Sequence, residues 1–164
     1  MSLNIRQLAA DDIGLMRALL QTFGDAFNEP ETYGSNPPST AYLRCLLAGD
    51  SFIAIVALES GRVVGGIAAY ELRKFEQQRS EIYIYDLAVA ATHRRRGIAT
   101  ALIDELKKVA ATRGAYVIFV QADIGDDAAI ALYTKLGVRE DVLHFDIPIG
   151  KTRRRGARRR FRSR

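Results

Sequence analysis

Residues 79–122 leave this chain the least freedom. RSEIYIYDLAV (79–89) is apolar, β-branched and aromatic, as a buried strand requires. HRRRG follows at 93–97, and then Ile98, Leu102, Ile103, Leu106 and Ala110 recur at helical spacing up to Arg113. AYVIFVQA (115–122) reads as a second buried strand. Strand, basic turn, amphipathic helix and strand in so short a span make a β-α-β unit, which lays its helix across one face of a sheet.

The flanking segments enlarge that sheet. LNIRQ (3–7) alternates as a short strand. Asp11 and Asp12 precede Ile13, Leu15, Met16, Leu19, Leu20 and Phe23, a helical stripe that is expected to stop at Gly24. NEPETYGSNPP (28–38) carries three of the four prolines and reads as an irregular loop; Ser39 then caps a helix through Leu47 that ends at Gly49. SFIAIVALE (51–59) and RVVGGIAAYEL (62–72) flank Ser60-Gly61 as a hairpin. A helix from Asp127 to Leu136 ends at Gly137, and VLHFDI (142–147) predicts one more strand. The fold class is α/β, a mixed sheet with helices on both faces.

Composition supports one folded domain, residues 1–149, with 48% hydrophobic residues in 164. The net charge of +5 comes from residues 150–164, an arginine-rich tail read as disordered. Removing its one lysine and eight arginines from 24 basic residues leaves 15 against 19 acidic ones, a body of net charge −4. No apolar run is long enough to span a bilayer, and the N-terminus has no apolar leader, so a cytoplasmic protein without a membrane partner is expected. Cys45, the single cysteine, excludes an internal disulfide; mid-helix among leucines it predicts a buried, inert thiol. With two scattered histidines it makes no zinc site, and no metal is expected.

The turn at 94–100 is built for an anion. A helix start offers backbone N–H groups without partners and a partial positive charge. Gly97 and Ala99 keep side chains away from that backbone, and Arg94, Arg95 and Arg96 add charge-assisted donors, which together suit a pyrophosphate. The same RRRG at 153–156 opens no helix and contributes charge alone, or grips RNA through phosphates without base readout. No specific nucleic-acid partner is expected.

DLAVAATHRRRGIATALI, with Arg94-x-x-Gly97-x-Ala99 after a strand, resembles the acetyl-coenzyme A signature of the GCN5-related N-acetyltransferases. KFEQQRSEIYIYDLAV, QADIGDDAAIALYTKLGVRED and LHFDI further resemble the aminoglycoside 3-N-acetyltransferases of the gentamicin-modifying type, apart from Ala128 in place of a proline and the arginine tail. The resemblance implies a sheet whose strand 80–89 splays from strand 115–122 to admit acetyl-coenzyme A. It implies pantetheine pairing at Leu87, Ala88 and Val89, and pyrophosphate held by Arg94, Arg95, Arg96, Gly97, Ile98, Ala99 and Thr100. It also implies a homodimer.

Acetyl transfer needs a neutral amine, so a base must take a proton from the ammonium. Asp86, a charge inside an aromatic strand, is the first candidate, and Glu81 the second. Five residues apart, they fall on opposite faces of a regular strand unless a bulge intervenes. Main-chain N–H groups at Leu87–Val89 suit the oxyanion. Tyr133, in ALYTKLG, is the candidate acid for the departing thiolate. A polycationic aminoglycoside calls for carboxylates, and Glu29, Glu31, Asp123, Asp126, Asp127 and Asp146 supply them, with Tyr83 beside the base. Asp126 or Asp127 also suits a helix cap. A polyamine or a protein N-terminus would suit the same acids.

Overall fold

The computed structural model describes residues 3–150. Five strands lie in the order β1 (Leu3–Gln7), β2 (Phe52–Glu59), β3 (Arg62–Arg73), β4 (Ser80–Val89) and β5 (Ala115–Val120). The first four pair antiparallel, and β5 joins β4 in parallel after the crossover helix α4 (Ile98–Arg113). β2 is apolar without a break because it is covered on both sides. Phe52, Ala54 and Val56 pack beneath α1 (Ile13–Phe27) and α3 (Thr40–Ala48), while Ile53, Ile55 and Ala57 pack beneath α4. The five α4 residues at helical spacing are all buried in that second layer.

The hairpin turn has positive φ at both central residues, Ser60 (52°) and Gly61 (77°), which matches the strand twist. Ser39 caps α3 by accepting from the Tyr42 N–H at 3.1 Å. Asp12 precedes α1 without capping it: its carboxylate accepts from Arg6 at 2.7 and 2.8 Å and from the Ala9 N–H, which together hold its pKa down at about 2.

Five expectations are corrected. Helix α1 does not stop at Gly24 but runs to Phe27, where Asn28 ends it at φ 56°. Gly24 is needed for packing: a Cβ there would lie 3.2 Å from Tyr33 Cβ. Tyr33 belongs to a one-turn helix, α2 (Pro30–Gly34), inside what reads as an irregular loop, with proline at its favoured first position. Cys45 is exposed, because α3 turns Leu43 inward and the residue two further on faces the other way. β5 ends at Val120 and is only partly buried, with Tyr116 50% exposed. Finally, 142–147 form no strand, and β5 comes last in the order of strands among the described residues. Residues 151–164, the predicted tail, lie outside the described residues.

Candidate active site

Two features of β4 create the site. Its pairing with β5 ends at Ile84–Val120, yet β4 continues to Val89. Past Ile84 the pairing of the two parallel strands therefore stops, and among the described residues that edge of β4 has no strand partner. In the same stretch the register with β3 slips: Ala69 faces Ile84 and Ala68 faces Asp86, leaving Tyr85 as the extra residue of a β-bulge. Ile82 and Ile84 point into the α4 layer, and after the bulge Leu87 and Val89 do so. Asp86 is thereby turned to the α1 side, the face of Tyr83, and the spacing rule that separates it from Glu81 no longer applies. Glu81 stays occupied elsewhere, accepting from Tyr116 Oη at 2.9 Å and from Lys74 Nζ at 3.4 Å.

Around Asp86 the chain gathers a partly buried cluster of aromatic side chains. Tyr33 Oη donates to Asp86 Oδ2 at 3.0 Å. Phe23 and Phe27 stack at 5.6 Å, and Tyr33 packs edge-on to the first at 6.0 Å and tilted to the second at 5.8 Å, which holds its ring in place. Tyr70, Tyr85, Tyr83 and Phe119 run as a continuous ladder, with Phe119 stacked on Tyr83 at 4.8 Å. Burial raises the Asp86 pKa from 3.8 to about 6; the Tyr33 hydrogen bond opposes that rise and the Glu29 charge adds to it. Burial and the Asp86 charge push the Tyr33 phenol well above its usual value. Tyr33 is a residue that the sequence reading missed. Its one signal was a glycine inside a helical stripe, facing a tyrosine in the next loop.

On the other side of β4 a cavity of about 330 Å³ opens between the end of that strand, the start of α4 and the next helix. Leu87 and Val89 form one wall, Arg94, Arg95, Gly97, Ile98, Ala99 and Thr100 the floor, and Ala128, Leu132 and Tyr133 of α5 (Asp127–Leu136) the other wall. Gly97, at φ 78°, precedes α4 with no side-chain cap, which leaves the first-turn N–H groups facing the cavity mouth. The three arginines divide their work. Arg94 Nε donates to the Val89 carbonyl at 3.2 Å and braces the turn against the strand. Arg96 pairs with Glu59 at 2.6 Å, beside His93 on the same carboxylate at 3.0 Å. Arg95, held at φ 62°, lines the cavity, and no such bond is seen for it among the described residues. Ala88, grouped with its neighbours in the sequence reading, is buried on the α1 side.

The acidic residues expected to hold a cation are spread out. Asp126 caps α5, accepting from the Ala129 N–H at 3.1 Å, and Asp127 stands exposed in the first turn. Asp123 lies in the β5–α5 loop and accepts through its carbonyl from Asp126. Glu31 is exposed on α2, whereas Glu29 lies close enough to act on both Tyr33 and Asp86. Tyr83 Oη donates to Gln121 at 3.1 Å. Asp146 is exposed and accepts from His144 at 3.2 Å, in the segment without regular structure.

A sheet that opens at a bulge, above an uncapped helix start, is what a long thioester with a pyrophosphate needs. The sequence model of the Acetyltransferase (GNAT) family matches residues 15–138. The chain belongs to that family. Two solved structures sharpen its relationships. An aminoglycoside acetyltransferase, HMB0005, from an uncultured soil metagenomic sample is 67% identical, with a TM-score of 0.90 over 92% of this chain and 100% of the other. A second soil metagenomic aminoglycoside acetyltransferase, meta-AAC0020, solved with sisomicin, is 31% identical with a TM-score of 0.83, over 90% of this chain and 97% of that one. N-alpha-acetyltransferase 30 of Schizosaccharomyces pombe is 32% identical over 85 residues, 51% of this chain and 55% of the relative. Probable N-acetyltransferase family 8 member 5 of Mus musculus is 27% identical over 96 residues. The chain spans about half the length of these curated relatives or less. This GNAT acetyltransferase is thus structurally close to aminoglycoside acetyltransferases.

One prediction follows from the Tyr33–Asp86 bond. Its donor favours the ionised carboxylate, so Tyr33→Phe raises the Asp86 pKa further. A hydrogen bond to a charged group contributes about 1.5–3 kcal/mol, roughly one to two pH units. The acidic limb of kcat/KM moves up by that much in Tyr33→Phe, and activity lost at pH 7 returns at higher pH. A limb that stays in place removes Tyr33 from the site.

Proposed function

We propose that this protein transfers the acetyl group of acetyl-coenzyme A to the 3-amine of the 2-deoxystreptamine ring of aminoglycosides such as gentamicin, by direct attack in a ternary complex, and so confers resistance. The observation that carries this reading is the 67% identity with an aminoglycoside acetyltransferase over 92% of the chain. The acidic body, with Glu29 and Asp86 beside the aromatic cluster, favours a polycation.

The cavity fits the donor. An uncapped helix start and Arg95 take the pyrophosphate, and the parted β4 edge offers main-chain groups to the pantetheine arm. When bound, acetyl-coenzyme A supplies the thioester. Asp86 accepts one proton from the acceptor ammonium, which frees a lone pair. With its pKa at about 6, it is ionised at neutral pH yet more basic than an ordinary carboxylate. Main-chain N–H groups of Leu87–Val89 face the place where negative charge grows on oxygen. Tyr133, on the far wall of the cavity, returns a proton to sulfur. The Tyr70–Tyr85–Tyr83–Phe119 ladder offers ring faces to sugar rings and ammonium groups.

Purified protein with acetyl-coenzyme A and gentamicin releases thiol stoichiometrically with a singly acetylated product, and fragmentation places the acetyl group on the 3-nitrogen. Turnover with a peptide N-terminus but not with gentamicin would move the acceptor to the class of the N-alpha relatives. Acetylation at another nitrogen corrects the regiochemistry.

A further inference from the structure

β2 is apolar along its length and ends in a carboxylate. Ile53, Ile55 and Ala57 face the α4 layer, and alternation puts Glu59 at the end of that row, against the turn that opens α4. Its carboxylate takes both arms of Arg96, Nη2 donating to Oε1 at 2.6 Å and Nη1 to Oε2 at 3.4 Å. His93 Nε2 lies 3.0 Å from Oε2, and Thr92 Oγ1 lies 2.8 Å from the other ring nitrogen. The Glu59 side chain is only 13% exposed. The Arg96 hydrogen bond, opposed by burial, holds its carboxyl below the ordinary range, so it is anionic at neutral pH.

A carboxylate beside a turn suited to an anion repels that anion, so charge gives no reason for it there. What Glu59 supplies is shape. Arg95 stands at φ 62°, in the left-handed region that non-glycine residues rarely occupy, and Gly97 follows at φ 78°. Such a backbone persists only where its surroundings over-determine it. Both neighbours of Arg95 are tied down, Arg94 Nε to the Val89 carbonyl at 3.2 Å and Arg96 to Glu59. The base of the turn is tied as well, since the Ala90 N–H donates to the Val64 carbonyl at 2.8 Å. Between these anchors Arg94 and Arg95 line the cavity, together with Gly97 and Ile98.

We propose that Glu59 is a positioning residue for the acetyl donor: by tying Arg96 and His93 to the end of β2, it holds residues 93–97 in the shape that presents Arg95 and the first N–H groups of α4 to the pyrophosphate. The pyrophosphate step rests on the donor site proposed above; the tie to β2 does not. A turn shaped in advance gives up little freedom when the anion arrives. Charge and shape make opposite demands at this position, which lets experiment separate them.

Glu59→Ala and Glu59→Gln serve together, because glutamine keeps an oxygen for Arg96 and drops the charge. Calorimetric titration with coenzyme A gives a Kd about tenfold higher for the alanine variant, the cost of holding one strained residue without its anchor. The glutamine variant stays within about threefold of the parent. Were charge the whole effect, both variants would bind coenzyme A more tightly than the parent, and that result overturns the proposal. So does an alanine variant of unchanged affinity, or a glutamine loss as large as alanine's. Pantetheine, which has no pyrophosphate, binds all three proteins alike; an equal loss for pantetheine would make the effect a general disturbance of the fold. In turnover, the alanine variant raises KM for acetyl-coenzyme A and leaves kcat and KM for the acceptor in place.

Amide hydrogen exchange in the free protein tests the tie without a ligand. The N–H groups of Ala90, His93 and Ala101 donate to the Val64, Ala90 and Gly97 carbonyls, and they exchange faster in Glu59→Ala, with a melting transition that shows the chain folded. Unchanged exchange overturns the tie. If the parent binds coenzyme A no more tightly than pantetheine, the donor site is misplaced, and faster exchange in the alanine variant still upholds the tie.

Discussion

Asp86→Asn lowers kcat by roughly 10²–10⁴-fold, the range for removing a general base. The same variant is at least as stable as the parent at pH 7. The carboxyl pKa rises from 3.8 unfolded to about 6 folded, so between those values the native state holds more protons than the unfolded one. Stability from this group is complete below about pH 4, falls as pH rises to 6, and stays lower above it. About two pH units correspond to up to about 3 kcal/mol of cost at neutral pH. Asparagine does not carry that cost, and its carbonyl still accepts from Tyr33. Kinetics and thermal melts of both proteins at pH 4 and pH 7 check the two halves together: the melting difference appears at pH 7 and vanishes at pH 4. An asparagine variant that is active, or less stable at pH 7, contradicts this account of Asp86.

Gly66→Ala has the largest expected effect on folding. A Cβ at Gly66 would sit 2.5 Å from the Ile55 carbonyl oxygen and 2.5 Å from Leu19 Cδ1. Leu19 can shift, but the backbone of β2 cannot. Alanine narrows the unfolded ensemble and so stabilises by under about 1 kcal/mol. Overpacking against backbone costs about 3 kcal/mol, so the clash wins. For a chain of this size that is a drop of roughly 6–12 °C in Tm, readable by calorimetry. Gly61→Ala, in open space but at φ 77°, is the comparison: its loss comes from backbone strain alone and is smaller. Equal losses would mean that contact with Leu19 and Ile55 is not what glycine avoids.

The glycine turn before α4 and the crossover helix itself were legible because each is local. A glycine at a helix start, arginines before it and apolar residues at 3.6 spacing are all read within one window. Asp86 also stood out, as a charge in an aromatic strand. Three things were not legible. The bulge at Tyr85 depends on the register of β3 against β4, a property of two strands at once. Tyr33 meets Asp86 across 53 positions, through a turn of helix hidden among prolines. The pairing of Arg96 with Glu59 ties the turn to the end of β2, 37 positions away.

Residues 79–122 determined, by themselves, that this chain builds a β-α-β unit with a glycine turn opening its helix, because hydrophobic period and glycine act between near neighbours. Only the tertiary structure decided which carboxylate meets Tyr33, which arginine pairs with Glu59 and which line the cavity, and that β5 comes last in the sheet among the described residues. Those outcomes depend on how strands pair and where burial raises the energy of a charge, and both are set by residues far apart in the chain.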